Sequence, residues 1–265
     1  MLTISNLHKT FNPGTINEKR ALCGVDLTLE DGDFVTIIGG NGAGKSTLMN
    51  MIAGVFPPDC GQIIIDGDEV TRLPEYKRAK YLGRVFQDPM MGTCGDMWIE
   101  ENLALAAKRG QSRGLGWSIN KKNRAFFKEH VTQLGLGLEN RLTTNVGLLS
   151  GGQRQALTLL MATLQSPKLL LLDEHTAALD PKTAATVLEL TDKLVGENNL
   201  TTLMITHNMK DAIAHGNRLI MMHEGRIIYD VRGAEKKALT VDQLLAKFSE
   251  ASGGHFANDR MMLSN

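Results

Sequence analysis

The sequence predicts an α/β fold: a doubly wound, mostly parallel sheet with an N-terminal antiparallel β portion and an inserted helical subdomain. In the second half of the chain, three largely apolar runs alternate with segments of helical character; they are Leu169 to Leu172, Thr202 to Ile205 and Leu219 to Met222. Such runs are typical of strands that helices cover on both faces. Between residues 88 and 167, by contrast, no segment has the pattern of a strand.

The N-terminal part of the chain has the pattern of short strands. Leu2 to Ser5, Leu22 to Leu29 and Phe34 to Ile38 are bounded by Gly, Asp or Asn, and the second of them alternates apolar with polar residues. A glycine-rich turn then opens a helix at about Lys45, and a further strand is predicted at Ile63 to Ile65.

The middle of the chain is predicted to be helical. Helices are expected around Glu100 to Arg109, Asn120 to Leu134 and Gln153 to Gln165. The loop Arg109 to Trp117 is expected to be a mobile surface segment. Beyond the subdomain, Asp180 is an N-cap candidate followed by a proline, which predicts another helix start.

Composition indicates an ordinary globular protein. The 265 residues include 29 Lys+Arg and 29 Asp+Glu, so the formal net charge is zero and no nucleic-acid partner is expected. The longest apolar runs are far shorter than a membrane-spanning helix, so the chain is not expected to cross a membrane by itself. Cys23, Cys60 and Cys94 are too far apart for a zinc or redox motif and are expected to be reduced. Glycine is in excess, at 27 of 265 residues.

Four of these glycines cluster in one motif. Gly39-Gly40-Asn41-Gly42-Ala43-Gly44-Lys45-Ser46 fits the G-x-x-x-x-G-K-[ST] phosphate loop, between a predicted strand and a predicted helix. Bare backbone N–H groups at such a helix start bind phosphate, Lys45 reaches the β and γ phosphates, and the Ser46 hydroxyl ligates Mg²⁺. The residues expected to contact nucleotide here are Gly39, Asn41, Gly42, Ala43, Gly44, Lys45, Ser46 and Thr47.

A second candidate lies at the end of a buried strand. Leu169 to Asp173 is an apolar run that closes on a carboxylate, and Glu174 follows at once. Asp173 is suited to hold Mg²⁺, while Glu174 could polarise the attacking water. An isolated pair of acids at a strand end is equally often a solvated turn.

A third motif, Leu149-Ser150-Gly151-Gly152-Gln153, opens a predicted helix. It is not a hydrolase nucleophile elbow, because position 148 is Leu where that motif needs Gly. Its flexible backbone and helix start could also bind phosphate. Two phosphate-binding helix starts are one more than a single nucleotide needs.

With these motifs in this order, nearly the whole chain resembles the ATP-binding cassette (ABC) family, the nucleotide-binding subunits of ABC transporters. The resemblance implies a P-loop NTPase fold, with a RecA-like ATP-binding core at 1–88 and 166–265 and a helical signature subdomain at 89–165. It also implies a head-to-tail homodimer on ATP binding, in which the signature segment of one subunit closes on the ATP of the other. The residues it assigns to that contact are Ser150, Gly151, Gly152 and Gln153.

Further positions take their roles from the resemblance. Gln87 matches the Q-loop glutamine that senses the magnesium site, and Asp180 matches the D-loop aspartate at the dimer interface. His207 matches the switch histidine that contacts the γ-phosphate, and Phe11 matches the aromatic residue that stacks on adenine. The catalytic residues implied are Glu174, His207 and Lys45; Ser46, Gln87 and Asp173 are implied as the metal site.

Two positions depart from the family pattern. Phe11 stands where Tyr is commoner, and stacking should survive because it uses the ring. His175 stands where Pro or a small residue usually follows the catalytic glutamate. It is either a tolerated packing substitution or a group that titrates near neutrality and modulates Glu174.

The resemblance implies an ATP-hydrolysing subunit that powers uptake of a small solute, such as an amino acid, through a separate integral-membrane permease. The expected cofactors are ATP and Mg²⁺, and the expected location is peripheral, on the cytoplasmic face of the cell membrane. An extracytoplasmic substrate-binding protein is a further expected partner. The alternatives are a soluble cassette ATPase of iron–sulfur cluster assembly and an exporter ATPase.

Two segments bear on the partner and the cargo. Met90 to Trp98 is unusually apolar for a surface loop, so it either receives a permease helix or fills the subdomain interface. The run from Asp173 to Pro181, together with Phe256 to Arg260, is similar to bacterial cassettes that accompany lipoprotein-dependent importers proposed to take up amino acids.

Overall fold

The computed structural model describes residues 1–111 and 118–251 and confirms the predicted α/β fold class. The strands are β1 Leu2–Phe11, β2 Lys19–Leu29, β3 Phe34–Ile38, β4 Cys60–Ile65, β5 Asp68–Glu69, β6 Leu82–Val85, β7 Leu169–Asp173, β8 Thr202–Ile205, β9 Arg218–His223 and β10 Arg226–Arg232. The α-helices are α1 Lys45–Ala53, α2 Glu75–Arg78, α3 Ile99–Ala106, α4 Lys121–Thr132, α5 Gly151–Thr163, α6 Pro181–Glu197, α7 Met209–Ala214, α8 Gly233–Lys237 and α9 Val241–Ala251.

The larger sheet has six strands in the order β10-β9-β3-β8-β7-β6. All neighbours are parallel except β9 and β10. In β7, Leu169 and Leu171 pack into the apolar cluster that contains α1, whereas Leu170 and Leu172 pack into the cluster on the opposite face. The strand is therefore apolar throughout because helices cover both faces of the sheet.

The N-terminal antiparallel portion is a second sheet, with the order β2-β1-β4-β5. Strand β1 runs to Phe11, well past the predicted end at Ser5, because its polar half still pairs with β2 through irregular register. Strand β6 was not predicted, because Gly83 and Arg84 interrupt its apolar pattern. A Cβ on Gly83 would lie 2.5 Å from the Ala162 carbonyl oxygen, so the close packing of α5 on β6 requires glycine here. The same glycine interrupts the apolar pattern from which a strand would be predicted.

Helices α3, α4 and α5 follow the three helical stretches predicted for the middle of the chain. Within residues 88–111 and 118–167, strand-like pairing is confined to one isolated bridge between Trp98 and Asn145. The apolar residues of these helices share one cluster with Leu170 and Leu172 of β7. The boundaries of the subdomain, 89–165, stay a prediction. Residues 112–117 of the predicted mobile loop, and Phe256 to Arg260, lie outside the described residues.

His175 is buried at the start of the segment that joins β7 to α6. It is 2% exposed, and its Nε2 lies 3.1 Å from the Thr191 hydroxyl of α6. Burial, and to a lesser extent the charge of His215, lowers the pKa of His175 to about 4. The hypothesis that this side chain titrates near neutrality is therefore wrong, and the packing interpretation agrees with the structure.

The burial of His175 predicts an acid-sensitive contribution to stability. Unfolding returns the pKa of His175 from about 4 to about 6.5. Between pH 4 and pH 6.5, the ring therefore binds a proton in the unfolded chain but not in the folded one. The contribution of the neutral ring is complete above about pH 6.5 and is lost as the pH falls toward 4. The two pKa values predict that protonation of His175 in the unfolded chain lowers the free energy of unfolding by about 2 kcal/mol at pH 5, relative to neutral pH.

His175→Gln keeps a hydrogen-bonding side chain beside Thr191 and cannot take up this proton. We expect the stability of the variant, measured by urea unfolding, to fall less than that of the wild type between pH 7.5 and pH 5. His130→Gln, in the half-buried face of α4, serves as the matched control and should follow the wild type. Parallel pH dependence of wild type and His175→Gln would show that the ring titrates normally.

Candidate functional site

The phosphate-loop motif forms the connection from β3 to α1. Gly42 and Gly44 adopt φ values of 80° and 100°, where residues with a side chain are strained. A Cβ on Gly44 would lie 2.5 Å from the carbonyl oxygen of Ala21, and one on Gly39 would lie 2.2 Å from that of Met222. The loop is therefore wedged between β2 and β9, and only glycine fits these positions.

Lys45 is the first residue of α1 and is buried, at 5% exposure. Its Nζ donates hydrogen bonds to the carbonyl oxygens of Gly39 at 2.7 Å and Gly40 at 3.2 Å. These carbonyls hold the ammonium group inside the curve of the loop. A positive charge and the free N–H groups of a helix start thus face the same space, which is the arrangement that binds phosphate.

A cleft of about 270 Å³ opens above this loop. It brings Phe11, Glu174 and His207 together with the loop. Phe11 packs edge-to-face on Phe56, with ring centroids 5.3 Å apart. The lining comprises Phe11, Lys19, Ala21, Asn41, Gly42, Ala43, Gly44, Lys45, Ser46, Thr47, Glu174 and His207.

Glu174 and His207 form a contact at the edge of the parallel sheet. Oε1 of Glu174 lies 2.6 Å from Nε2 of His207, and the carboxylate side chain is only 12% exposed. Glu174 has a φ of 48°, an uncommon value for a residue with a side chain. Its N–H donates to the Ile205 carbonyl at 3.0 Å, which ties this strained turn to β8.

Asp173 ends β7 next to this pair. Burial raises the pKa of its carboxyl, and the Arg84 guanidinium, 3.6 Å from Oδ2, opposes that shift. Arg84 also donates to the Asn50 side chain at 2.7 Å. Arg84 was not expected from the sequence, since it belongs to no motif and meets Asp173 only through the pairing of β6 with β7.

The side chains predicted to hold Mg²⁺ carry the oxygen donors that this ion prefers. Ser46 lines the cleft, whereas Asp173 is not among its lining residues. Asp173 offers a carboxylate, and Ser46 offers an exposed hydroxyl at the helix start. In the part of the chain that the structure describes, no group of three or more His, Cys, Asp or Glu could hold a metal ion. Magnesium suits such a site, because it is usually held by one or two carboxylates together with substrate phosphates and water. Gln87 is exposed and lies outside the lining of the cleft.

The Ser150–Gln153 segment lies away from the cleft of its own chain. Ser150 is the exposed N-cap of α5; its Oγ accepts from the Gln153 N–H at 3.3 Å, and the Gln153 side chain accepts from the Ser150 N–H at 3.2 Å. A Cβ on Gly152 would lie 2.1 Å from the Thr183 methyl group, so α5 and α6 touch here. The result is a helix start with exposed first residues, Ser150 and Gly151, that does not line the cleft above the phosphate loop.

Asp180 also lies outside the cleft. It is the N-cap of α6, with Pro181 at the first helical position, as predicted. Its Oδ1 accepts a hydrogen bond from the Thr183 N–H at 3.1 Å, and this bonding lowers the pKa of the carboxyl. Capping therefore already occupies the side chain that the sequence assigned to the interface.

Two surface features complete the site. Lys19 lines the cleft. No motif pointed to this residue, because its position depends on how β1 pairs with β2. In the Met90–Trp98 segment, Met90, Met91 and Trp98 are 48%, 68% and 43% exposed, so these three side chains are not confined to an interior interface.

Comparisons with known proteins agree with this geometry. The chain is 49% identical over 257 residues, or 95% of its length, to a tyrosine transport ATP-binding protein of Clostridioides difficile, all of which is covered. It is 31% identical to the ABC transporter ATP-binding protein YxdL of Bacillus subtilis, with 98% of this chain and 96% of that protein covered. A methionine import ATP-binding protein of Enterococcus faecalis is 35% identical over 86% of this chain and 64% of its own length.

Solved structures have the same fold. An ATP-binding cassette solved as a dimer in a post-hydrolysis state with ADP and Pi superposes with a TM-score of 0.75 at 28% identity, covering 88% of this chain and 98% of that one. The ADP conformation of an ATP-binding cassette of an ABC transporter gives 0.77 at 26% identity, covering 96% and 99%.

Within the described residues, no helix is both long and apolar enough to span a membrane. The family model described as "ABC transporter" matches residues 22–177, from the second strand to just beyond the Glu174 turn. This stretch contains the phosphate loop, the signature segment and the Asp173–Glu174 pair. The chain therefore belongs to the ABC transporter family, as one of its ATP-binding, ATP-hydrolysing proteins.

Proposed function

We propose that two copies of this chain pair head to tail when ATP binds and that each copy completes the other's site. The observation that carries the proposal is the position of the Ser150–Gln153 helix start, whose first two residues are exposed and which does not line the cleft of its own chain. Free N–H groups at a helix start are an anion site. A second copy can bring this segment to the open side of the cleft, where the γ-phosphate of ATP would lie. A similar cassette that was solved as a dimer with ADP and Pi supports pairing of two copies.

Within each site, the phosphate loop and Lys45 bind the β and γ phosphates while Phe11 stacks on adenine. Asp173, Ser46 and Gln87 are the residues that would hold Mg²⁺, which neutralises phosphate charge when bound. Glu174 directs the attacking water, and His207, in contact with it, fixes the carboxylate and faces the γ-phosphate. Catalysis of this kind depends on positioning and charge stabilisation.

The ATP-driven pairing powers uptake of an amino acid through a separate integral-membrane permease. The name of one relative, a methionine import protein, supports uptake over export. That name and the name of the tyrosine transport protein support transport over a role in iron–sulfur cluster assembly. The exposed Met90, Met91 and Trp98 supply an apolar surface on which a permease helix can dock. The chain then lies on the cytoplasmic face of the membrane and works with an extracytoplasmic substrate-binding protein.

Glu174→Gln tests the catalytic assignment. The amide keeps the shape of the side chain but cannot polarise water, so the variant should bind ATP and hydrolyse it at least about 100-fold more slowly. It should then accumulate as an ATP-bound dimer, measured by light scattering. Glu197→Gln, at the exposed end of α6, is the control and should retain normal turnover. A Glu174→Gln protein that stays monomeric in excess ATP would contradict the pairing.

Mixing two inactive variants tests whether the site is shared. Lys45→Met disables the phosphate loop, and Ser150→Arg places a bulky cation at the signature helix start. In a mixed dimer, the intact loop of one chain meets the intact signature of the other, so ATPase activity should exceed that of either variant alone. Activity that never exceeds the sum of the separate variants would indicate that each chain completes its own site.

Transport is tested in a strain that lacks the chain. We expect uptake of radiolabelled tyrosine to fall and to return with the wild-type gene but not with Glu174→Gln. Uptake of a sugar provides the control for general energetic damage. Unchanged uptake of tyrosine and methionine, with loss of efflux of another solute, would favour the exporter alternative.

A further inference from the structure

Lys19 lies directly opposite Phe11 in the antiparallel ladder of β1 and β2. The two Cα atoms are register partners, and they form the last pair at that end of the ladder. Directly opposite residues place their side chains on the same face of a sheet, with Cβ atoms about 5 Å apart. An aromatic ring and an ammonium group therefore stand side by side on one wall of the nucleotide cleft.

The ammonium group of Lys19 extends from this wall to the phosphate loop. Its Nζ lies 3.2 Å from the point where a Cβ of Gly42 would be. Lys19 thus bridges the two parts of the cleft, with Phe11 on one side and the middle of the phosphate loop on the other. Lys45, by comparison, is held deep in the loop by the Gly39 and Gly40 carbonyls.

The charge of Lys19 is not neutralised by a neighbouring carboxylate. Lys19 is exposed, and across residues 1–111 and 118–251 no acidic side chain lies within ion-pair distance of it. The nearest acid in sequence, Glu18, approaches Arg20 instead, at 3.8 Å. A solvated cation at the mouth of an anion-binding loop is available to a ligand.

We infer that Lys19 is a nucleotide-binding residue that contacts the phosphate nearest the adenosine. The inference rests on the proposed orientation, with adenine on Phe11 and the terminal phosphates at Lys45. Between these ends, the cation beside Gly42 faces the α-phosphate. Both ATP and ADP carry that group, so Lys19 stabilises the two complexes equally and takes no part in the Glu174–His207 contact.

The test compares nucleotide affinities of Lys19→Met, Lys19→Arg and the neighbouring control Arg20→Met. Fluorescent ADP is displaced by ATP, ADP and adenosine in each variant, at low and at physiological salt. We expect Lys19→Met to weaken ATP and ADP by a similar factor, on the order of tenfold at low salt and less at higher salt, because the group is exposed. Adenosine affinity should not change, Lys19→Arg should restore most of the loss, and in ATPase assays the loss should appear in KM.

Other outcomes overturn the inference. Equal affinities in Lys19→Met and wild type would show that the ammonium contacts no phosphate. If Lys19→Met lost affinity for ATP but not for ADP, the ammonium group would contact the γ-phosphate instead. If the affinity for adenosine fell by the same factor, Lys19 would only position Phe11. Lys45→Met separates these results from failure of the proposed function: if that variant also binds ATP normally, the cleft is not the nucleotide site at all.

Discussion

The parallel pairing of β3, β8 and β7 is the constraint on which the site depends. The three strands are adjacent, and residues near their carboxyl ends are register partners: Ile37 with Ile205, and Ile205 with Asp173. Residues of the candidate site follow each strand: the phosphate loop follows β3, Glu174 follows β7 and His207 follows β8. Because parallel strands all end at the same edge, three distant sequence segments meet in one cleft. Helices on both faces keep that register fixed.

Anion binding in this cleft needs little net charge. The chain carries no formal net charge, yet the loop combines the N–H groups at the start of α1 with a lysine held by two carbonyls, the arrangement that binds phosphate. The excess glycine serves this purpose, because Gly39 and Gly44 allow the loop to pass within contact distance of β9 and β2. The groups that attract an anion are thus concentrated in the phosphate loop, so the outer surface of the protein need not be basic.

In the proposed head-to-tail pair, the second helix start is the half of the site that each chain supplies to its partner. Ser150 and Gln153 cap each other, so the end of α5 is stable without a ligand. Gly152 lets α6 approach closely, and Asp180 caps that neighbouring helix. These contacts hold the N-terminus of α5 in place and leave Ser150 and Gly151 exposed, as the proposed pairing requires. A segment that is already ordered before binding loses less conformational entropy when two chains associate, so the entropic cost of association is lower.

Sequence alone determined the parts of this protein whose physics is local. Apolar runs predicted the buried strands, and glycines before a helix start predicted the phosphate loop. The Asp180-Pro181 pair predicted the N-cap of α6. Local pattern failed where packing overrides it: β6 is hidden by Gly83, and β1 continues through polar residues. Tertiary structure decided what depends on register and burial. It placed Lys19 opposite Phe11 and Arg84 beside Asp173, and it kept His175 neutral by enclosing it against α6. No motif encodes these contacts, because each joins residues whose proximity exists only once strands pair and helices pack.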